Sequence, residues 1–190
     1  LIRRQRQMCI RDSLQGVPGI YLHSLIGTRN DIEAVLATKT KRDINRTVID
    51  AEAITNALKD PFSKISRINR ELGRLITIRT KQPAFHPNGD QRILMLSRSL
   101  FSVLRTSPER DQHILALINV TGRVCKLEVS LAELGIGETH WYDLVSEVEW
   151  MAEGKYLSIT LNPYDIIWLE PFCELENTSD YSAEKGIDPI

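Results

Sequence analysis

Two different hydrophobic periods divide the chain. In the first piece, about residues 14–82, the clearest apolar pattern repeats at spacings of three and four, whereas in the second, about residues 83–172, apolar and polar positions alternate. The first spacing is typical of an amphipathic helix, and alternation is typical of half-buried strands. We therefore predict an α/β piece followed by an all-β piece, with polar segments 1–13 and 173–190 at the two ends.

The first piece is predicted to contain one strand and two helices. A short apolar run between glycines, Gly16–Gly27, has the pattern of a buried strand. Asp50 is placed to cap a short helix, and Asp60 before Pro61 predicts the start of a longer one that ends near Lys81. The apolar face of that longer helix consists of Ile65, Ile68, Leu72, Leu75 and Ile76. Because one parallel strand cannot form a sheet without neighbours, this piece is an edge unit or the end of a larger α/β domain.

The second piece is predicted to be an antiparallel β-sandwich, because short alternating runs are separated by turn residues at roughly ten-residue intervals. The run at residues 114–118 is apolar on both faces, which predicts a central strand. The candidate strands are Arg92–Leu96, Leu100–Arg105, His113–Val120, Val124–Val129, Thr139–Leu144, Tyr156–Leu161 and Ile166–Glu170.

Composition narrows the possible partners. The 190 residues carry 24 Lys and Arg against 25 Asp and Glu, so a net charge of −1 gives no electrostatic case for nucleic acid or an anionic membrane. No apolar run reaches the roughly 18 residues that a membrane span needs. Three cysteines do not form a disulfide framework and fit a reducing cytosol, so we expect a cytoplasmic protein.

The two end segments are predicted to lie outside the fold. Residues 1–13 carry four arginines without apolar periodicity, no signal-peptide core follows them, and the stretch looks like a translated adapter or assembly scar. Residues 173–190 are polar and are predicted to form a loose tail.

The sequence offers no catalytic residue, metal site or cofactor motif. No two histidines have metal-ligand spacing, and Cys-x-x-Cys, glycine-rich phosphate loops and the Gly-x-Ser-x-Gly elbow are all missing from the sequence. One polar cluster does stand out in the loop after the predicted strand: Asp31, followed by Arg42, Asp43 and Arg46. Guanidinium groups suit phosphate or carboxylate through paired hydrogen bonds. The alternative is a salt-bridged loop in which these arginines and Asp43 fix only local shape.

The tryptophans are the other candidates. Trp168 lies in an apolar strand and is predicted to pack in the core. Trp141 and Trp150 flank a turn-rich region, where exposed aromatics would stack on sugar rings or cover a neighbouring domain.

Several segments, in order, resemble the α-amylase superfamily, glycoside hydrolase family 13. Gly16–Tyr21 resembles its last barrel strand, and Asn30–Arg46, with its Arg-Asp-Ile-Asn-Arg stretch, is similar to the sucrose phosphorylase branch. Ala84–Gln91 looks like a narrower group that contains the sucrose 6-phosphate and glucosylglycerate phosphorylases. Asn162–Leu169 is similar to the final strand of the family's C-terminal β domain.

The resemblance implies the end of a (β/α)8 barrel, its last strand and helices in residues 14–82, followed by the β-sandwich in residues 83–172. It implies glucosyl transfer with retention of configuration, carried out by two aspartates and a glutamate on earlier barrel strands. Such double displacement needs two carboxyl groups about 5 Å apart. Those acids are missing from this chain, so the chain alone is expected to be inactive. The loop of Arg42 borders the acceptor and phosphate site in that branch, which makes Arg42, with Arg46 and Asp31, the candidate contacts.

The resemblance leaves the acceptor open, because Asp43 departs from the glucosylglycerate-type pattern toward the sucrose phosphorylase form. The expected partners of the intact parent are a sugar substrate and inorganic phosphate, with no cofactor, nucleic acid or membrane, and its oligomeric state is open. One competing hypothesis is an α-glucoside hydrolase or transglucosidase of the same superfamily. Another is a non-catalytic carbohydrate-binding or interaction module, which needs an exposed row of aromatics around Trp141 and Trp150.

Overall fold

The computed structural model describes residues 10–172, and a six-stranded antiparallel sheet lies at its centre. The strands of this part of the chain are β1 Asp90–Leu94, β2 Leu100–Thr106, β3 His113–Asn119, β4 Cys125–Ser130, β5 His140–Asp143, β6 Val148–Met151, β7 Tyr156–Leu161 and β8 Ile166–Phe172. The large sheet has the order β1-β2-β3-β8-β5-β6, and β4 pairs with β7 in a second sheet. The predicted antiparallel β-sandwich is confirmed.

Alternation along the strands divides the core into two layers. In β3, Leu115 and Leu117 join β4, β7 and Trp141 in the layer between the two sheets. Ile114, Ala116 and Ile118 point to the opposite face, where they pack with Trp168. Residues 114–118 are fully buried, and β3 lies between β2 and β8. The central strand is therefore where the sequence predicts it.

From residue 22 onward the helices are α1 Leu22–Leu25, α2 Ile32–Thr38, α3 Ala51–Lys59, α4 Lys64–Thr80 and α5 Leu131–Leu134, with short 3-10 turns at Lys41–Asn45 and Pro83–Phe85. Helix α4 packs on the other face of the large sheet, whereas Leu131 and Leu134 of the short helix α5 lie in the layer between the two sheets. Leu75 of α4 lies in the layer that contains Trp168, so the two pieces of the chain share a core. Within residues 10–172, no helix is both long and apolar enough to cross a bilayer.

Capping explains where the helices begin. Asp50 caps α3 as predicted, and its Oδ1 accepts hydrogen bonds from the backbone N–H groups of the first turn. The predicted start of α4 at Asp60 is wrong, because Ser63 is the cap: its Oγ accepts from the N–H of Ser66 at 3.0 Å. Asp60 instead closes a local turn by accepting from the N–H of Phe62. The predicted end of α4 near Lys81 is confirmed.

The strand predicted within Gly16–Gly27 is not formed. Residues 17–21 have no regular structure and residues 22–25 are the short helix α1. Val17 is 82% exposed and Leu22 is 55% exposed, so this apolar run is not buried. A barrel strand needs neighbours that take up its N–H and C=O groups, and none of the described strands pairs with this segment.

The seven predicted strands of the second piece are present, with ends that differ from the prediction by no more than two residues. Strand β6 was missed because it is an edge strand whose Val148 and Met151 are exposed, which hides the alternation. Residues 1–9 and the predicted loose tail 173–190 lie outside the described residues. Asp12 and Ser13, although predicted to lie outside the fold, are buried and pack within it.

Candidate functional site

The predicted arginine cluster lies on a 3-10 turn, Lys41–Asn45, between α2 and α3. Asp31 holds the turn against α2. Its carboxylate caps the helix by accepting from the N–H of Ala34 at 2.8 Å, and its own N–H donates to the carbonyl of Ile44 at 2.9 Å. One Asp31 carboxylate oxygen is therefore occupied by the helix, and the residue links both sides of the loop.

Two side-chain hydroxyls secure the same turn. The Tyr21 hydroxyl donates to the carbonyl of Asn45 at 2.7 Å, and the Thr38 hydroxyl donates to Asp43 Oδ2 at 2.6 Å. The N–H of Arg46 donates to the carbonyl of Asp43 at 3.0 Å. The backbone that carries the two arginines is thus restrained from both ends.

The guanidinium groups of Arg42 and Arg46 project from this turn into solvent. Both residues are exposed, and no salt bridge within residues 10–172 includes either of them. The carboxylate of Asp43 accepts from Thr38 instead. The salt-bridged loop considered above is therefore not what the structure shows, and the two cations are available to an anionic ligand.

The structure does not support a carbohydrate-binding surface built from exposed tryptophans. Trp168 is fully buried, as predicted, but Trp141 is also fully buried, so the interpretation of Trp141 as an exposed platform is wrong. Its indole N–H donates to the carbonyl of Glu138 at 3.1 Å, and its ring fills the layer between the sheets. Trp150 lies partly buried against the same layer. Within the described residues there is no exposed tryptophan row, and no cluster of His, Cys, Asp and Glu that would hold a metal ion.

A pair of arginines, Arg105 fully buried and Arg79 partly buried, is a polar feature that the sequence pattern did not indicate. Arg105 of β2 is fully buried and donates to the carbonyls of Ser13, His86 and Asp90 at 2.9–3.3 Å. Arg79 of α4 donates to three further carbonyls, one of them that of Phe85 at 3.1 Å. Both guanidinium carbons lie within 6 Å of the centre of the Phe85 ring, at 5.7 and 5.9 Å.

Burial sets the electrostatics of this pair. It lowers the pKa of Arg105 to about 10, with the charge of Arg79 contributing in the same direction, and it also lowers the pKa of Arg79. Arg105 therefore stays charged at neutral pH with backbone carbonyls rather than a carboxylate as partners. Because each acceptor is a backbone carbonyl, we interpret the pair as a structural junction between α4, the residues before Gly16 and the sheet. A cleft of about 640 Å³ beside it is lined by Arg79, Lys81 and His86 but by none of the candidate loop residues.

The sequence is similar to glucosylglycerate phosphorylases. No protein-family model matches it. It is 33% identical over 165 residues to glucosylglycerate phosphorylase of Spirochaeta thermophila and 30% identical over 158 residues to that of Escherichia coli. These matches cover 84% and 83% of this chain but 28% and 26% of the two enzymes. The chain thus spans about a quarter of the length of the curated relatives that it matches.

The fold is that of α-amylases. AmyP in complex with maltose superimposes with a TM-score of 0.73 at 14% identity, over 89% of this chain and 34% of that chain. The α-amylase of Geobacillus thermoleovorans in complex with acarbose gives a TM-score of 0.69 at 14% identity, over 92% and 34%. The relatives and the fold both agree with the resemblance of the sequence to the α-amylase superfamily, glycoside hydrolase family 13. The three relatives at 30–33% identity are all glucosylglycerate phosphorylases, which agrees with the phosphorylase-like motifs of the sequence.

Proposed function

We propose that this chain is part of a disaccharide phosphorylase, which transfers glucose from an α-glucoside to inorganic phosphate and releases glucose 1-phosphate and an acceptor. The observation that carries this proposal is the 30–33% identity to glucosylglycerate phosphorylases over more than four-fifths of the chain. The acids that perform double displacement are expected on barrel strands that this chain does not contain. The chain by itself is therefore expected to have no activity.

We propose further that residues 14–82 complete a (β/α)8 barrel in that larger protein. Their surface supports this, because apolar side chains of the kind that pack between barrel elements are left in solvent. Leu36 on α2 is 73% exposed and Phe62 before α4 is 88% exposed. The other exposed apolar residues of this piece are Val17, Ile20, Tyr21, Leu22, Ile32, Val48 and Leu58.

The turn at Lys41–Asn45 supplies the anion-binding part of the proposed function. Arg42 would donate paired hydrogen bonds to the carboxylate or phosphate group of an acceptor, or to the phosphate substrate itself. Arg46 lies close in sequence and would add a second positive charge. Two features support this role: the guanidinium groups have no partner among the described residues, and the backbone beneath them is restrained. Asp31 contributes through the shape of the loop.

Two measurements test the proposal. The purified 190-residue chain, incubated with sucrose or glucosylglycerate and phosphate, is expected to release no glucose 1-phosphate. Sustained turnover would contradict the expectation that the catalytic acids lie outside this chain. In the full-length protein, Arg42→Gln is expected to raise the KM for the anionic acceptor about 10- to 150-fold, the equivalent of a charge-assisted hydrogen bond of about 1.5–3 kcal/mol. Arg123→Gln, at an exposed arginine of the β piece, is the matched control and should leave KM unchanged.

The same full-length protein separates this proposal from the competing hydrolase. A phosphorylase releases glucose 1-phosphate only when phosphate is present, whereas a hydrolase releases glucose in phosphate-free buffer. Glucose release that is independent of phosphate would replace the proposal with the hydrolytic alternative.

A further inference from the structure

We infer that Tyr21 is a positioning residue for Arg42 and Arg46, an inference that rests on the anion site proposed above. Its hydroxyl donates to the carbonyl of Asn45 at 2.7 Å and so joins two segments that are 24 residues apart. Tyr21 itself does not contact the ligand in this inference. Its effect is to hold the end of the turn from which both guanidinium groups project.

The hydrogen bonds around the turn show why this one matters. Asp31 fixes the carbonyl of Ile44, and Thr38 fixes the side chain of Asp43. The carbonyl of Asn45, which directly precedes Arg46, receives its side-chain hydrogen bond from Tyr21. Without that hydroxyl, the far end of the turn retains the local bond from the N–H of Arg46 to the carbonyl of Asp43.

The Tyr21 ring is itself held in place. It stacks on the imidazole of His23 with ring centres 5.0 Å apart and an angle of 29° between the planes. The Nδ1 atom of that imidazole lies 3.0 Å from the hydroxyl oxygen of Thr28. The phenol therefore reaches Asn45 from a supported position, and the turn is ordered before any ligand arrives. A loop that is already ordered loses less conformational entropy on binding, so its affinity for an anion is higher.

The chain offers a matched control for this role. Tyr21 and Tyr156 are both 51% exposed, and Tyr156 lies at the start of β7, in the other piece of the chain. Removing the hydroxyl from either residue changes the same single atom at the same degree of exposure. A difference between Tyr21→Phe and Tyr156→Phe therefore reports on the Asn45 contact.

The experiment uses the full-length protein, with these 190 residues isotope-labelled, in solution NMR, titrated separately with D-glycerate and with inorganic phosphate. The Arg42 Nε–H signal, assigned by its loss in Arg42→Lys, reports binding. In Tyr21→Phe we expect the carbonyl signal of Asn45 to move, the amide order of residues 41–46 to fall, and the dissociation constant of the anion to rise about 2- to 10-fold, as for one lost hydrogen bond. Tyr156→Phe should change none of these.

The outcomes separate this inference from the proposed function. If Arg42 in the unmodified full-length protein responds to neither anion, the proposed anion site is wrong, and the Asn45 carbonyl signal and the amide order still decide the role of Tyr21. If Tyr21→Phe keeps the amide order and the affinity of the unmodified chain, the positioning role is overturned. If all signals across the chain change, Tyr21 supports the fold in general and the specific inference fails.

Discussion

Leu75→Ala tests whether α4 and the large sheet form one cooperative unit. Leu75 is 4% exposed and lies in the layer with Phe85 and Trp168, on the face of the sheet opposite β4 and β7. The side chain therefore bridges the two pieces that the sequence predicts separately. Truncating it leaves a cavity between α4 and the large sheet.

The expected loss of stability follows from that burial. Removing three carbon atoms costs about 2.4 kcal/mol in lost transfer free energy, at about 0.8 kcal/mol for each. A cavity of about 50 Å³ that the neighbours do not fill adds about 1 kcal/mol. We expect the free energy of unfolding to fall by about 3–4 kcal/mol, within the range of about 2.7–5.0 kcal/mol measured for buried leucines elsewhere.

Urea denaturation measures this loss by two signals, helical circular dichroism and the fluorescence of the buried tryptophans. Both are expected to change in one transition, with the midpoint lowered by about 1.5–2 M at a slope of about 2 kcal/mol per molar. Leu36→Ala, the same truncation at a 73% exposed position, should cost less than about 0.5 kcal/mol. Equal effects of the two variants, or a helical transition separate from the fluorescence transition, would refute the shared core.

Three further predictions concern local features. Gly89→Ala should destabilise the protein by more than about 1 kcal/mol, because an added Cβ would lie 2.5 Å from the Thr106 carbonyl oxygen. Gly73→Ala, at an open position inside α4, should stabilise it by about 0.5–1 kcal/mol. Thermal denaturation should therefore show shifts of opposite sign for the two variants, and shifts of the same sign would contradict the packing around these glycines. Ser63→Ala should lower the unfolding free energy by about 1 kcal/mol in urea denaturation through loss of the α4 cap, and an unchanged value would show that the cap is dispensable. Burial raises the pKa of the Asp12 carboxyl in the folded protein. The protonated carboxyl therefore contributes to the free energy of unfolding below the ordinary pKa of 3.8, and this contribution is lost as the pH rises through the folded pKa. Asp12→Asn should therefore be more stable than the unmodified chain at pH 7, and this gain should vanish below pH 3.8. Urea denaturation midpoints measured across this pH range check the prediction. A difference between the two proteins that does not depend on pH would contradict the raised pKa.

Features with a local period were predictable from the sequence. The alternation in β7 places Leu157, Ile159 and Leu161 in the core and the residues between them outside, as the pattern predicts. The helical spacing likewise identifies the buried face of α4. In both cases the burial of a residue follows from its near neighbours in sequence.

Features that depend on distant partners were not predictable. Arg105 is buried because carbonyls of three separate segments converge on it, and a carbonyl has no sequence signature. The strand within Gly16–Gly27 fails for the converse reason, since its hydrogen-bonding neighbours are not among the described strands. In the candidate site, charge and the resemblance of the Arg-Asp-Ile-Asn-Arg stretch predicted Arg42 and Arg46, but the contact of Tyr21 with Asn45 depends on the fold of the loop.

The place of β8 in the large sheet has a consequence for how the protein is made. It lies between β3 and β5, so the sheet exists as two halves, β1-β2-β3 and β5-β6, until residues 166–172 insert between them. A nascent chain that stops before this strand leaves the exit tunnel carries two unprotected backbone edges, which favour intermolecular pairing. Completion of the large sheet therefore waits for residues 166–172 to be synthesised, and a ribosome that stalls just upstream of them would release a species prone to aggregate.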